Sequence, residues 1–316
     1  MLQARRRKEV GLVQVFVTGA SGVVGRAALT ALREAGHDVR GLVRSREAAR
    51  TVESLGATPV SAELYDLADL ATAMQGCDAV ANLATKVPVG SAALRPGSLR
   101  EIDRLRIRGS RVVVAAAARA GVEAVVHQSL SFVYADAGDD WIDEDGIVDV
   151  SRATEPIVVA EDHVAAFARD GGRAVSLRLG LVTGTDPNTR WQVRRAAAGR
   201  AFALGRPRSW MHVVHPDDAG AAVAHALTAP TGIYNIGADP VRRSDFAAVI
   251  ASAAGGPAPR SLPRWVERMG AEKLEILTRS HRVSSQRFVD ATGWTPARPT
   301  LSPEWLAHPS REGSHG

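Results

Sequence analysis

The sequence predicts an α/β protein, a doubly wound parallel sheet with a smaller C-terminal substrate lobe. Three observations point there. Short valine-rich apolar runs alternate with helical segments through the first half, the turn after the first run is glycine-rich, and the alternation loses its regularity after residue 180. Strands that read as continuous apolar runs are buried on both faces, as in a parallel sheet covered by helices.

The elements follow in order. VQVFV (13–17) reads as a buried strand, TGASGVVG follows at once, and ALTALREAG is helical with a glycine stop at Gly36. DVRGLVR is the second strand, residues 45–55 a helix, TPVSAEL the third strand, LADLATAMQG a helix and DAVANLA the fourth strand. RIRGSRVVVAAAARAG is a long helix ending at Gly121, VEAVVHQS the fifth strand, EPIVVAEDHVAAFARDG a helix, and RAVSLRLGLVTG a sixth strand entering a glycine loop. Beyond it come short helices, HVVHPDDAGAAVAHAL and the strand-like GIYNIG. The division expected is a basic leader over 1–12, a dinucleotide-binding domain over 13–180, a smaller lobe over 181–306 interleaved with the sheet, and a flexible tail over 307–316. Ligands of such sheets bind in the crevice at the carboxyl ends of the strands.

Composition narrows the function classes. One cysteine, Cys77, excludes an internal disulfide and any multi-cysteine metal site and suits a reducing compartment. The net charge of +5 is concentrated in ARRRK at 4–8, which reads as a solvated terminus, so no nucleic-acid partner is expected. No apolar run reaches membrane-spanning length, and the expected location is cytoplasmic. His212 and His215 with Asp217 and Asp218 resemble a metal cluster but fit a loop and helix start, with an Asp as cap, so no metal is expected.

The cofactor signal is the turn Gly19-Ala20-Ser21-Gly22-Val23-Val24-Gly25, placed between a strand and a helix. Its glycines permit a tight turn, close backbone approach to a pyrophosphate and close helix packing, while the helix terminus offers unpaired N–H groups. This is a Rossmann-type arrangement. At the end of the second strand stand Arg44, Ser45 and Arg46, where an acidic residue would accept from ribose hydroxyls. Arginine pairs instead with a ribose phosphate, which predicts NADP in preference to NAD. Two solvated loop arginines are the alternative.

At this point the chain resembles the extended or atypical short-chain dehydrogenase/reductase family, in its epimerase/dehydratase-like branch. VTGASGVVG, GLVRS, AELYD, GCDAVANLAT, HQSLSFVYAD, LRLGLVTG and MHVVHPDD carry the resemblance, from Val15 to about Trp305. It implies that Glu63 and Leu64 flank the adenine, that Ala84, between Leu83 and Thr85, lines the dinucleotide path, and that Ser129 lies near the nicotinamide ribose. It also implies a catalytic Tyr four residues before a Lys. Family spacing puts those positions at Ala153 and Ile157, and neither can transfer a proton. None of the three tyrosines (Tyr65, Tyr134, Tyr234) stands four residues before any of the three lysines (Lys8, Lys86, Lys273), so the pair is absent.

The family's substrate-binding Ser or Thr falls on Leu130, between Ser129 and Ser131, which point to the opposite face if the strand persists. Candidate substitutes are Lys86 at the crevice edge, which is otherwise a surface lysine, and Tyr134, which is otherwise a packing residue. Ser129 and Ser131 are polar lining. Arg178, Asn235 and Arg282 are candidate substrate-facing groups, with a charged face of the second lobe as the alternative for Arg282. The function expected is an NADP-dependent oxidoreductase acting on a small organic molecule by non-standard proton transfer. A lyase, isomerase or cyclase on the same scaffold, and a catalytically silent NADP(H) sensor, remain as alternatives. A homodimer through paired helices is compatible with the fold.

Overall fold

The computed structural model describes residues 13–95, 97–256 and 275–306. The expected basic leader and tail, and Lys273, lie outside the described residues. Seven strands form one parallel sheet in the order β3-β2-β1-β4-β5-β7-β11. They are β1 (Gln14–Thr18), β2 (Asp38–Val43), β3 (Thr58–Ser61), β4 (Ala79–Asn82), β5 (Ala124–Leu130), β7 (Arg173–Leu179) and β11 (Gly232–Ile236). Two-residue strands β6 (Trp141–Ile142), β8 (Leu181–Val182), β9 (Trp210–Met211), β10 (Val213–Val214), β12 (Val241–Arg242) and β13 (Arg282–Val283) pair outside it.

Side-chain alternation along the strands builds the two covering layers. Val15 and Val17 of β1 point into one cluster with helix α1 (Val23–Glu34), Val52 of α2 (Arg46–Ser54), and α8 (Pro216–Ala226). Phe16, between them, points to the opposite cluster. That layer holds α3 (Leu67–Met74), α5 (Ser110–Ala120) and α6 (Glu155–Arg169). Before α5 the chain runs through a short α4 (Arg100–Arg104) and a π-helical segment, Leu105–Gly109. The long helix therefore begins earlier than its sequence pattern indicates and is interrupted.

A third cluster forms the smaller lobe. Here Phe202, Phe246, Ile250 and Trp305 pack between α7 (Pro187–Ala197) and α9 (Arg243–Ala253). The last helix, α10 (Gln286–Thr292), returns Phe288 to the main core. Residues beyond 180 thus contribute a strand and two helices to the principal sheet as well as building the lobe. The helix after HVVHP is capped by His215, which accepts from the Asp217 N–H, and not by Asp217 or Asp218. Asp218 is buried and accepts from the Ala297 and Arg298 amides.

Candidate functional site

The glycine turn is built for close approach. Gly19 takes φ +67°, and a Cβ there would lie 2.5 Å from the Leu83 carbonyl oxygen and 2.8 Å from the Ala84 Cα. A Cβ on Gly25 would lie 2.1 Å from the Gly19 oxygen. Ala20 and Val24 face the core, Ser21 and Val23 are half-buried, and Gly22 is the N-cap of α1 with no side-chain cap. The first N–H groups of α1 therefore face the crevice uncapped, as an anionic pyrophosphate requires.

The rest of the expected dinucleotide path is more open. Leu83 is buried, Ala84 half-buried, and Thr85 and Lys86 exposed on the loop after β4. Arg44, Arg46 and Glu63 are exposed, while Ser45 is committed to capping α2 through the Ala48 N–H. Leu64 packs at the margin of the second cluster, and Tyr65 beside it lies under two guanidinium groups, Arg104 at 4.3 Å and Arg108 at 5.2 Å from its ring centroid.

A buried polar chain ties the ends of β1 and β4 to the middle of β5. Thr18 Oγ1 donates to Asn82 Oδ1 at 2.7 Å, and the Asn82 amide nitrogen lies 3.2 Å from His127 Nδ1. Burial, reinforced by the nearby Arg106 and His163, lowers the His127 pKa to about 4, so the imidazole is neutral and accepts from the amide.

Four of the predicted site residues come together, though beneath the crevice surface. Arg178 of β7 forms a bidentate pair with Glu161 of α6, at 2.9 Å through Nε and 2.7 Å through Nη2, and both are buried. Ser129 donates to the same carboxylate. The Arg178 guanidinium carbon stands 4.9 Å from the Tyr134 ring centroid, and the Tyr134 hydroxyl donates to Asn235 Oδ1 at 2.8 Å. Tyr134 is fully buried among Val133, Ile142, Ile157 and Val283, and burial pushes its phenol pKa up.

The others lie apart. Ser131 is buried in a 3₁₀ turn and its hydroxyl lies 2.9 Å from His212 Nδ1. Arg282 stacks between Trp141 and Trp210, 4.3 and 4.8 Å from their ring centroids, and donates to the Asp139 carbonyl. Glu161 and Asn82 were not singled out by the sequence reading, which takes His127 as a core-edge residue and not a catalytic one. Glu161 carried a usable signal, since it shares the inward helical face of Ile157, Ala160 and Val164.

Three buried histidines give a pH prediction. Burial is the leading cause that lowers His127 to about 4, His212 to about 3 and His281 to about 4. Each is neutral in the folded chain and takes a proton more readily when unfolded, where its pKa is near 6.5. Their contribution is therefore complete above about pH 6.5 and is lost progressively as pH falls toward 4. Thermal melts from pH 7.5 to 4.5 should show the midpoint falling below pH 6.5. His127→Gln should flatten that dependence, and an unchanged slope would count against a neutral buried His127.

Comparison with known proteins fits this geometry. The model of the family described as NAD dependent epimerase/dehydratase matches residues 15–237. A Streptomyces protein named 3-diazoavenalumate denitrifying reductase is 31% identical over 310 residues, covering 91% of this chain and 97% of its own length. The human epimerase family protein SDR39U1, solved with NADPH, superposes with a TM-score of 0.75 at 23% identity, covering 92% of this chain and 98% of that one. The UDP-glucose 4-epimerase of Thermus thermophilus, solved with NAD, gives 0.71 at 22% identity, covering 90% and 94%.

These structures correct the expected preference for NADP over NAD. Four further similar structures also hold NAD, so the reading that stands is NAD(P) without a preference. The physical reason lies at Arg44, which is exposed on a loop and hydrogen-bonded to no described residue. A side chain so free does not by itself define a ribose-phosphate pocket.

Proposed function

The chain belongs to the NAD dependent epimerase/dehydratase family and is an NAD(P)-binding enzyme of oxidoreductase type acting on a small organic substrate; from that premise we propose that it is a reductase whose hydride acceptor needs no proton from the protein. We take that acceptor to be a diazonium group. The observation that carries the reading is the glycine cradle at Gly19–Gly25 in a chain where no Tyr stands four residues before a Lys, with Ala153 and Ile157 at those positions by family spacing.

Reduction of a ketone places negative charge on oxygen and calls for a general acid. Tyr134 is a poor source, with its ring in the core and its hydroxyl committed to Asn235. A diazonium carbon differs, because hydride addition and loss of dinitrogen leave a neutral C–H product: R–N₂⁺ + NAD(P)H → R–H + N₂ + NAD(P)⁺. No proton moves. When bound, the dinucleotide supplies the hydride. The Gly19–Gly25 turn and α1 would hold its pyrophosphate, and Leu83–Thr85 would line its path. The 3-diazoavenalumate relative, whose name states loss of nitrogen from a diazo acid, supports this acceptor class.

The test uses 4-carboxybenzenediazonium as probe, with NADH or NADPH deuterated at either face of C4. Expected are benzoate carrying deuterium from one face only, equimolar dinitrogen, and an unchanged rate in Tyr134→Phe. Deuterium drawn equally from both faces at the protein-free rate would overturn the proposal. Turnover of other substrates without net cofactor oxidation would favour the non-redox alternative, and tight cofactor binding without any turnover the silent one.

A further inference from the structure

Strands β4, β5 and β7 lie side by side and parallel, so the chain leaves all three at one edge of the sheet. The loop that leaves β4 meets α7, which follows β7 and β8. Their contact spans the carboxyl end of β5, the strand between β4 and β7. Asn188 makes the join. Its Oδ1 accepts from the Gly90 N–H at 2.9 Å, and its Nδ2 donates to the Pro88 carbonyl at 3.4 Å. Trp191, three residues on and hence on the same face of α7, sets its indole against Gly90. A Cβ on Gly90 would fall 2.3 Å from the Trp191 Cε2, and the glycine takes φ +55°.

The two sides of this join are held differently. On the lobe side, α7 is fixed by the buried Asp186, which accepts from the Gly184, Asn188 and Thr189 N–H groups and from the Thr189 hydroxyl. On the sheet side, the Leu83 N–H donates to the Thr18 carbonyl, and no backbone N–H from 84 to 89 donates to any described residue. The next donor is Gly90, to Asn188. Thr85, Lys86 and Val87 in this stretch are exposed. The arch is pinned at its two ends and unbonded along its own amides, so it opens at lower cost than the helix it rests on.

We infer that residues 84–90 form a cover over the reacting end of the crevice, and that Asn188 is the positioning residue that latches this cover to α7. The inference rests on the dinucleotide path proposed along Gly19–Gly25 and Leu83–Thr85, which the arch continues across the end of β5. Closed, the cover keeps water and solutes from that end. Both latch bonds join protein atoms alone. Weakening them lowers the barrier to entry and to exit alike, so the equilibrium affinity changes less than either rate.

The test uses full-length chain loaded with NAD(P)H, for wild type, Asn188→Ala, Asn188→Asp and Gly76→Ala. Two quantities are read: quenching of the bound nicotinamide fluorescence by acrylamide, and the release rate in a stopped-flow chase with excess NAD(P)⁺. Wild type should shield the nicotinamide relative to free NAD(P)H. Asn188→Ala should quench toward the free value and release about tenfold faster, the scale of two net hydrogen bonds, while its Kd moves by less. Asn188→Asp keeps the acceptor for the Gly90 N–H and should fall between. Gly76→Ala, strained before the start of β4 and away from the join, should match wild type in both, which separates the latch from a general loss of stability. Shielding and release unchanged in Asn188→Ala, or a wild-type nicotinamide quenched like free NAD(P)H, overturns the inference and leaves the dinucleotide reading intact. A wild type that binds no NAD(P)H sinks that reading and the cover with it.

Discussion

Gly19→Ala should lower NAD(P)H affinity at least a hundredfold, roughly 3 kcal/mol of binding free energy. Two penalties act together at this position. The backbone holds φ +67°, where any residue with a Cβ is strained, and the new methyl would sit 2.5 Å from the Leu83 oxygen. Neither neighbour is the end of a flexible side chain. Relief must come from separating the glycine turn from the Leu83–Ala84 segment, the two elements proposed to hold the dinucleotide.

Gly76→Ala supplies the control. Gly76 has φ +74°, but a Cβ there would meet nothing within 4 Å. This variant carries the backbone strain alone and should lose about 1 kcal/mol of stability while binding the dinucleotide normally. Fluorescence titration of NADH and NADPH against both variants, with a melt of each, decides the matter. Retained binding in Gly19→Ala would refute the cradle.

Arg178→Met should destabilise the fold by about 3–5 kcal/mol, because it leaves the Glu161 carboxylate buried with Ser129 as its remaining partner. Removing both charges is a different experiment. The double variant Arg178→Met/Glu161→Leu should recover most of that loss, since the pair's mutual attraction is largely offset by the desolvation of two ions. Urea unfolding of the two single variants and the double gives the coupling energy. A single variant that costs under about 1 kcal/mol would mean that water or another group already serves the carboxylate.

The main architecture was legible because its causes are local. Valine-rich runs and glycine stops sit within a few residues of what they determine, and the turn from Gly19 to Gly25 shows its strand and helix on either side. The lost Tyr/Lys pair was legible by counting alone. What escaped depends on partners distant in the chain. Arg178 and Asn235 look from sequence like ligand contacts, since polar residues in apolar strands invite that reading. Arg178 instead meets Glu161 across the helix–sheet interface, and Asn235 meets Tyr134 about a hundred residues away. Arg282 is held by Trp141 and Trp210 in the same manner. The π-helical step at Leu105–Gly109 left no pattern to read, because one additional residue barely shifts a helical period.

The position of β11 has a consequence for biosynthesis. Strands β1 to β7 are complete at Leu179, yet the strand that covers the β7 edge is Gly232–Ile236, and α8, which immediately precedes it, packs so closely on α1 that a Cβ on Gly220 would lie 2.4 Å from the Ala27 backbone. A nascent chain emerging at about 5–20 residues per second therefore spends seconds with a six-stranded sheet whose last edge is bare. Exposed edges and uncovered valine-rich faces recruit other chains. Chaperone dependence during synthesis should thus be set by the smaller lobe, whose translation decides how long the sheet stays open. Fragments ending before Gly232 should aggregate even though they contain the whole glycine cradle.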